Sequence, residues 1–205
     1  MRWLLLYLVA VVDCNAQSKW VVENYHYLGK LYPASIVPMI HYETYNDWYA
    51  ELRYNYEEAG TVSFFGGKTL TAAGDMQLSI TPLLGYSAGR FTGVSAAVNT
   101  DITWQQLYLS SQSQYSFAVK KNAENLFFNW SELAYHVSPY FFSGVTVQYT
   151  RQDGIRDAEP GVLAGVSFKN ISIPVYSFSP FSAGRYFIIG LYCELSTAGK
   201  RSSIK

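Results

Sequence analysis

From Trp48 the chain alternates. Trp48, Ala50, Leu52, Tyr54 and Tyr56 are apolar or aromatic, and Glu51, Arg53, Asn55 and Glu57 stand between them. A period of two is that of a β-strand, whose successive side chains point to opposite faces. A helix over the same residues would leave Ala50 and Tyr54 on its polar side. The period recurs. Met76, Leu78, Ile80, Pro82, Leu84 and Tyr86 alternate with Gln77, Ser79 and Thr81, with Leu83 out of pattern. Val145, Val147 and Tyr149 alternate with Gly144, Thr146, Gln148 and Thr150, and Val162, Ala164, Val166 and Phe168 with Gly161, Leu163, Gly165 and Ser167. Residues 104–117 are more polar and their register is undefined. Residues 126–137 read as a strand that switches register midway, as at a bulge.

Turn-forming residues punctuate these runs. Breaks are expected at 43–47, 57–60, 68–75, 87–90, 99–101, 120–125, 137–140, 151–160, 169–170 and 179–184. Eleven strands result between 34 and 195, and 20–31 supplies a twelfth. Alternating segments of about ten residues between turns are the pattern of a β-barrel. A sandwich is the competing reading, but its core calls for Val, Ile and Leu, whereas Tyr and Phe often end the runs here. Aromatic residues at strand ends suit the two girdles of a membrane barrel.

The expected fold is therefore all-β, a closed antiparallel up-and-down transmembrane barrel of about twelve strands, with ten as the alternative. Trp48, Ala50, Leu52, Tyr54, Tyr56, Leu78, Ile80, Val145, Val147 and Tyr149 are expected to face lipid. Glu51, Arg53, Asn55, Glu57, Gln77, Ser79, Thr81, Thr146 and Gln148 are expected to line the lumen. The breaks at 57–60, 87–90, 120–125, 151–160 and 179–184 then fall on the outer side, and both chain ends on the periplasmic side.

Composition sharpens this picture. The 205 residues suffice for one domain, and Lys+Arg and Asp+Glu are equal at 15 each, which makes no electrostatic case for nucleic acid. Charged residues are 15% of the chain, against about 25% in ordinary soluble domains. The 18 Tyr, 12 Phe and 5 Trp favour a boundary between an apolar phase and water. Arg2 followed by the apolar run Trp3–Val12 reads as an export signal, with cleavage expected between Ala16 and Gln17. Residues 17–195 are then the barrel and 196–205 a C-terminal tail. Cys14 leaves with the signal, and Cys193 remains alone. No later segment approaches 18 consecutive apolar residues, so a helical span is not expected. The location implied is the outer membrane of a Gram-negative bacterium, with membrane lipid and lipopolysaccharide as surroundings and a small solute as candidate cargo.

The stretches "WYAELRYNYEE", "TPLLGYSAGRFTG" and "FFNWSELAYHVSPYFFSGVTVQYTR" resemble blocks in a group of uncharacterised small outer-membrane barrel proteins of Gram-negative bacteria. The resemblance covers most of residues 34–195. It implies a small barrel and no particular activity.

Candidate chemistry is sparse. His136 and Ser138 share a strand face, as a base and nucleophile of a lipid A deacylase-like hydrolase would. The carboxylate that should orient the His is poorly supplied: Glu132 is far along the strand and Asp153 lies in a turn. Ser138 before Pro139 reads first as a turn serine, so no enzyme is expected. His26, His41 and His136 are scattered, and no metal or cofactor is expected. The charged set Glu51, Arg53, Asn55 and Glu57 is the best site candidate. On one strand face its members lie about 6.8 Å apart and could plug a narrow barrel or set a pore's selectivity. A passive narrow channel or a structural, interacting barrel is the leading reading. A lipid-modifying hydrolase and a secreted β-sandwich are the alternatives.

Overall fold

In the computed structural model, residues 18–29, 35–120 and 123–196 are described. The expected signal, its cleavage site and the tail beyond Ser196 lie outside them. Thirteen strand segments follow one another: β1 (Lys19–Gly29), β2 (Ser35–Glu43), β3 (Trp48–Tyr54), β4 (Thr61–Lys68), β5 (Leu70–Ala72), β6 (Met76–Gly89) and β7 (Gly93–Trp104). They continue with β8 (Leu107–Ala118), β9 (Leu126–Ser138), β10 (Phe141–Gln152), β11 (Ile155–Phe168), β12 (Ile171–Phe178) and β13 (Tyr186–Ser196). Both β4 and β5 pair with β6, so they form one stave interrupted at Thr69. Each stave pairs antiparallel with its sequence neighbours, and β1 pairs with β13 from Lys19↔Ser196 to Gly29↔Tyr186. The result is a closed barrel of twelve staves, the first paired with the last.

Closure sorts every strand into two faces. The outside is apolar. Val22, Ile40, Leu52, Phe64, Leu84, Leu133, Val145 and Val166 lie exposed along the middle of the staves. Trp20, Trp48, Trp104, Tyr135, Tyr140 and Phe168 ring the end where Lys19 and Ser196 lie, here the termini end, and Tyr54, Tyr86, Tyr115, Phe117 and Phe187 ring the other. The inside is polar and aromatic together, and supplies the only core this fold has.

Several breaks expected from composition are strand. Asn99 to Asp101 sit within β7, and the turn comes at Gln105, whose φ is 52°. Asn99 and Asp101 point inward, where polar residues are accommodated, so their turn-like composition reflects the lumen. Residues 151–160 are not a long loop. Both strands run on to a two-residue turn, Asp153 and Gly154, at φ 56° and 73°. Positive φ at both positions is the hairpin geometry that matches strand twist, and Asp-Gly is the pair that tolerates it. The break at 68–75 contains β5, and only 73–75 turn. In β9 no register switch occurs midway. Leu126, Trp130, Glu132, Ala134 and His136 are all buried inside, and the register shifts only between Phe141 and Phe142, opposite the end of the strand. The apparent switch arose because β9 carries apolar residues inward and Asn129 and Ser131 outward. The connections at 44–47, 73–75, 105–106, 139–140 and 169–170 and both described chain ends share one end of the barrel, as the loop parity implied, and the two-residue turn at Asp153 and Gly154 lies at the other.

Candidate functional site

The interior is built from residues two apart on the same strand. Period-two geometry puts Glu23 with Tyr25, Tyr49 with Glu51 and Tyr192 with Glu194 on one face. In each pair the tyrosine hydroxyl donates to the carboxylate, at 2.9, 2.7 and 3.4 Å respectively. Tyr108 donates to Asp101 Oδ1 at 2.6 Å, and Tyr186 to Glu159 Oε2 at 2.9 Å. A buried charge is tolerated only when such donors replace water. His41 Nδ1 lies 3.5 Å from Glu23 Oε1, with its ring stacked near Tyr49. Glu51 was expected inside, whereas sequence reading missed Glu23, Glu194, Asp101 and Glu159, although a glutamate two residues from a tyrosine in an alternating segment is the signal that marks the first two.

Arg53 occupies the centre of one layer and is fully buried. Its Nε donates to Glu51 Oε1 at 2.7 Å and its Nη2 to Glu51 Oε2 at 3.3 Å, a two-pronged contact. Nη1 donates to Gln114 Oε1 at 2.9 Å and lies 4.0 Å from Glu57 Oε1. The guanidinium carbon sits 4.5 Å from the Tyr56 ring centre and 4.2 Å from that of Phe65, between two aromatic faces. Gln114 belongs to β8, several staves from β3, so the contact crosses the lumen. Tyr56 crosses it too, through its hydroxyl contact with Gln112. Glu57 accepts from Ser63 and from Gln114 Nε2.

A second layer is aromatic. Trp130 of β9 packs against Tyr25 of β1 at 5.5 Å between ring centres, Tyr176 at 5.2 Å and Phe178 at 5.9 Å. Its indole N–H donates to Thr146 Oγ1 at 2.8 Å. These contacts also join opposite walls. Side chains of the two groups therefore fill the lumen, and Tyr56 and Phe128 meet between them at 5.6 Å between ring centres. Toward the termini end a cavity of about 200 Å³ opens among Lys19, Glu43, Gln77, Ser79 and Asp101.

Of the residues expected inside, Glu51, Arg53, Thr81, Thr146 and Gln148 are buried there. The Glu57 side chain joins them, Ser79 is half-buried, and Gln77 lines the mouth. Asn55 is a turn residue instead. At φ 61° its side chain donates to the Ile36 carbonyl and accepts from the Gly60 N–H. That backbone reversal ends the alternation, so Tyr56, expected outside, turns inward onto Arg53. Trp48, Leu52, Tyr54, Val145 and Val147 are exposed on the outer wall, and Ala50, Leu78, Ile80 and Tyr149 are half-buried there.

His136 and Ser138 do not form a catalytic pair. His136 is buried beside Phe142, with rings 5.7 Å apart. The Ser138 hydroxyl accepts from the Tyr140 and Phe141 N–H groups at 3.2 and 3.1 Å, as a turn serine does. Asp153 lies at the opposite end of the barrel, at the tip of the β10–β11 hairpin.

Charge inside is lopsided. Among the described residues, Glu23, Glu51, Asp101, Glu132 and Glu194 are buried acids, the Glu57 carboxylate is buried with them, and Arg53 is the single buried Lys or Arg. At the end away from Lys19 and Ser196, the Glu124 carboxyl is raised above the ordinary carboxylate range, first by its hydrogen bond to Asp153. A raised carboxyl holds its proton in the docked state. The Glu124–Asp153 contact is thus present at low pH and lost as pH rises through the raised value. Amides 123–125 should exchange more slowly at low pH, after correction for the intrinsic chemical rate. Asp153→Asn should flatten that dependence, and an unchanged profile would refute the shared proton.

No protein-family model matches the chain, and comparison with curated proteins returns no significant match. Solved structures do resemble it. The KdgM porin matches with a TM-score of 0.63 at 12% identity, over 84% of this chain and 98% of that one. A KdgM porin in complex with disordered oligogalacturonate matches at 0.62, also at 12% identity and over the same shares of the two chains. The NanC porin matches at 0.54 and 10% identity, over 86% of this chain and all of the other. At these identities the likeness is one of fold.

Proposed function

We propose that this chain is a small outer-membrane barrel of the Gram-negative type, a narrow channel whose lumen its own side chains hold closed at rest. Contacts across the lumen carry the reading: Arg53 reaches Gln114, and Tyr25 reaches Trp130. The apolar outer band between two aromatic rings supports placement in a membrane, where barrels show such girdles. The porin fold and the resemblance to Gram-negative outer-membrane proteins agree with it. Lipid then covers Leu52 and its outward neighbours, and the lumen lies on the Arg53 side.

The interior also suggests what passes. Oligogalacturonate, seen with one structural neighbour, is polyanionic. An interior with six buried carboxylates and one buried guanidinium disfavours such a solute and suits small neutral or cationic ones. Purified wild-type protein in planar bilayers should give small, intermittent conductance, with a reversal potential in a KCl gradient that reports cation preference. Trp130→Ala should raise the conductance severalfold, with folding checked by the heat-dependent gel shift. Large, steady, anion-selective currents from wild type would overturn the reading. The filled lumen equally favours a second one, a barrel serving as a structural or interaction element. Silence from both wild type and a folded Trp130→Ala would select it.

A further inference from the structure

The outer wall over β7 to β10 carries a built depression that the lumen does not use. At the rim, a cavity of about 670 Å³ opens between residues 123–125 and the tip of the β10–β11 hairpin. Tyr115, Phe127 and Tyr149 form its floor, and Asn125 and Gln152 stand in its polar wall. Immediately below, a groove of about 310 Å³ runs over Ala96, Val98 and Ser113. Tyr115 and Phe127 line both, so the two are continuous. The groove exists because positions 96 and 113 hold small residues, whereas Leu84, the cross-strand neighbour of Ala96, is large and exposed. The depression therefore changes from polar to apolar along the barrel axis, as an amphiphile does.

Charge identifies the headgroup. Arg151 and Arg156 are directly opposite in the ladder and both exposed, so they project from the same face. Like charges so placed destabilise a hairpin, and an anion lying over both relieves the repulsion. Arg151 also lines the rim cavity, whose wall carries Glu124 and Asp153 as well, so the anion is held at the Arg151–Arg156 pair and not by the cavity as a whole. Aromatic floors with amide walls suit a sugar ring, whose faces are apolar and whose edge carries hydroxyls.

We propose that this depression holds one phosphorylated glycolipid of the outer leaflet. Its phosphate lies against Arg151 and Arg156, its sugar over Tyr115 and Phe127, and one acyl chain along Ala96 and Val98. The inference rests on the membrane placement proposed above, with the termini end facing the periplasm.

The test uses the full chain purified in a non-glycosidic detergent. Lipid A is titrated against it, with phosphatidylglycerol as a parallel arm, and adducts are counted by native mass spectrometry. One lipid A should bind in preference to phosphatidylglycerol. Arg151→Gln with Arg156→Gln should weaken it about tenfold, as loss of charge-assisted contacts does. Ala96→Trp, which fills the groove without touching the arginines, should do the same. Each variant is first folded into vesicles free of glycolipid and scored by the heat-dependent gel shift. Failure of wild type to fold there would sink the membrane placement. Wild type that folds but binds lipid A no better than phosphatidylglycerol would overturn this site alone. So would folded variants of both kinds that bind like wild type.

Discussion

Arg53→Leu should destabilise the folded barrel by roughly 3–5 kcal/mol, the range for breaking a buried ion pair on one side. The reason is what remains. Glu51 and Glu57 have almost no exposed side-chain surface, and Arg53 is the cation both face. Without it the carboxylates stay desolvated and uncompensated, and Tyr56 and Phe65 lose the guanidinium between them. Arg53→Leu combined with Glu51→Gln and Glu57→Gln should recover most of the loss, because no buried charge is then stranded. Urea unfolding from vesicles would measure the series. A triple variant as unstable as Arg53→Leu alone would show that packing, not charge, holds this layer.

Leu52→Arg, one residue away, should cost about 2–4 kcal/mol for the opposite reason. Leu52 is 46% exposed, on the outer wall between Ile40 and Phe64. In water such a substitution would be nearly neutral. In hydrocarbon near the bilayer middle it places a charge where nothing solvates it. The pair therefore separates the two environments on either side of β3. A Leu52→Arg variant that folds into vesicles as well as wild type would mean that this wall does not face lipid.

The alternation of Glu51, Leu52, Arg53 and Tyr54 was readable without coordinates, because a strand side chain has only two faces to choose from. The same period put Thr81, Thr146 and Gln148 on the inner face, and the structure buries all three. Composition misled where it stood in for geometry. Asn99 and Asp101 looked like a turn because polar residues mark both turns and lumens. Asp153 and Gly154 were a true turn, but the charged residues around them belong to strands that continue above the wall. The break at Thr69 was taken for a turn region because β5 is only three residues long.

Sequence by itself determined an all-β barrel of about twelve staves, with ten left open, and which face of most of them is apolar, since those properties are local and repeat every two residues. Tertiary structure alone decided who meets whom inside. Gln114 is 61 residues from Arg53, and only barrel closure with a staggered register brings its amide to the guanidinium. Trp130 meets Tyr25 for the same reason. Tyr56 shows the limit of periodicity most clearly: one left-handed residue, Asn55, reverses the face, and nothing in a two-residue pattern records a backbone torsion. A strand's own pattern states which side a residue takes. Closing the sheet decides what waits there.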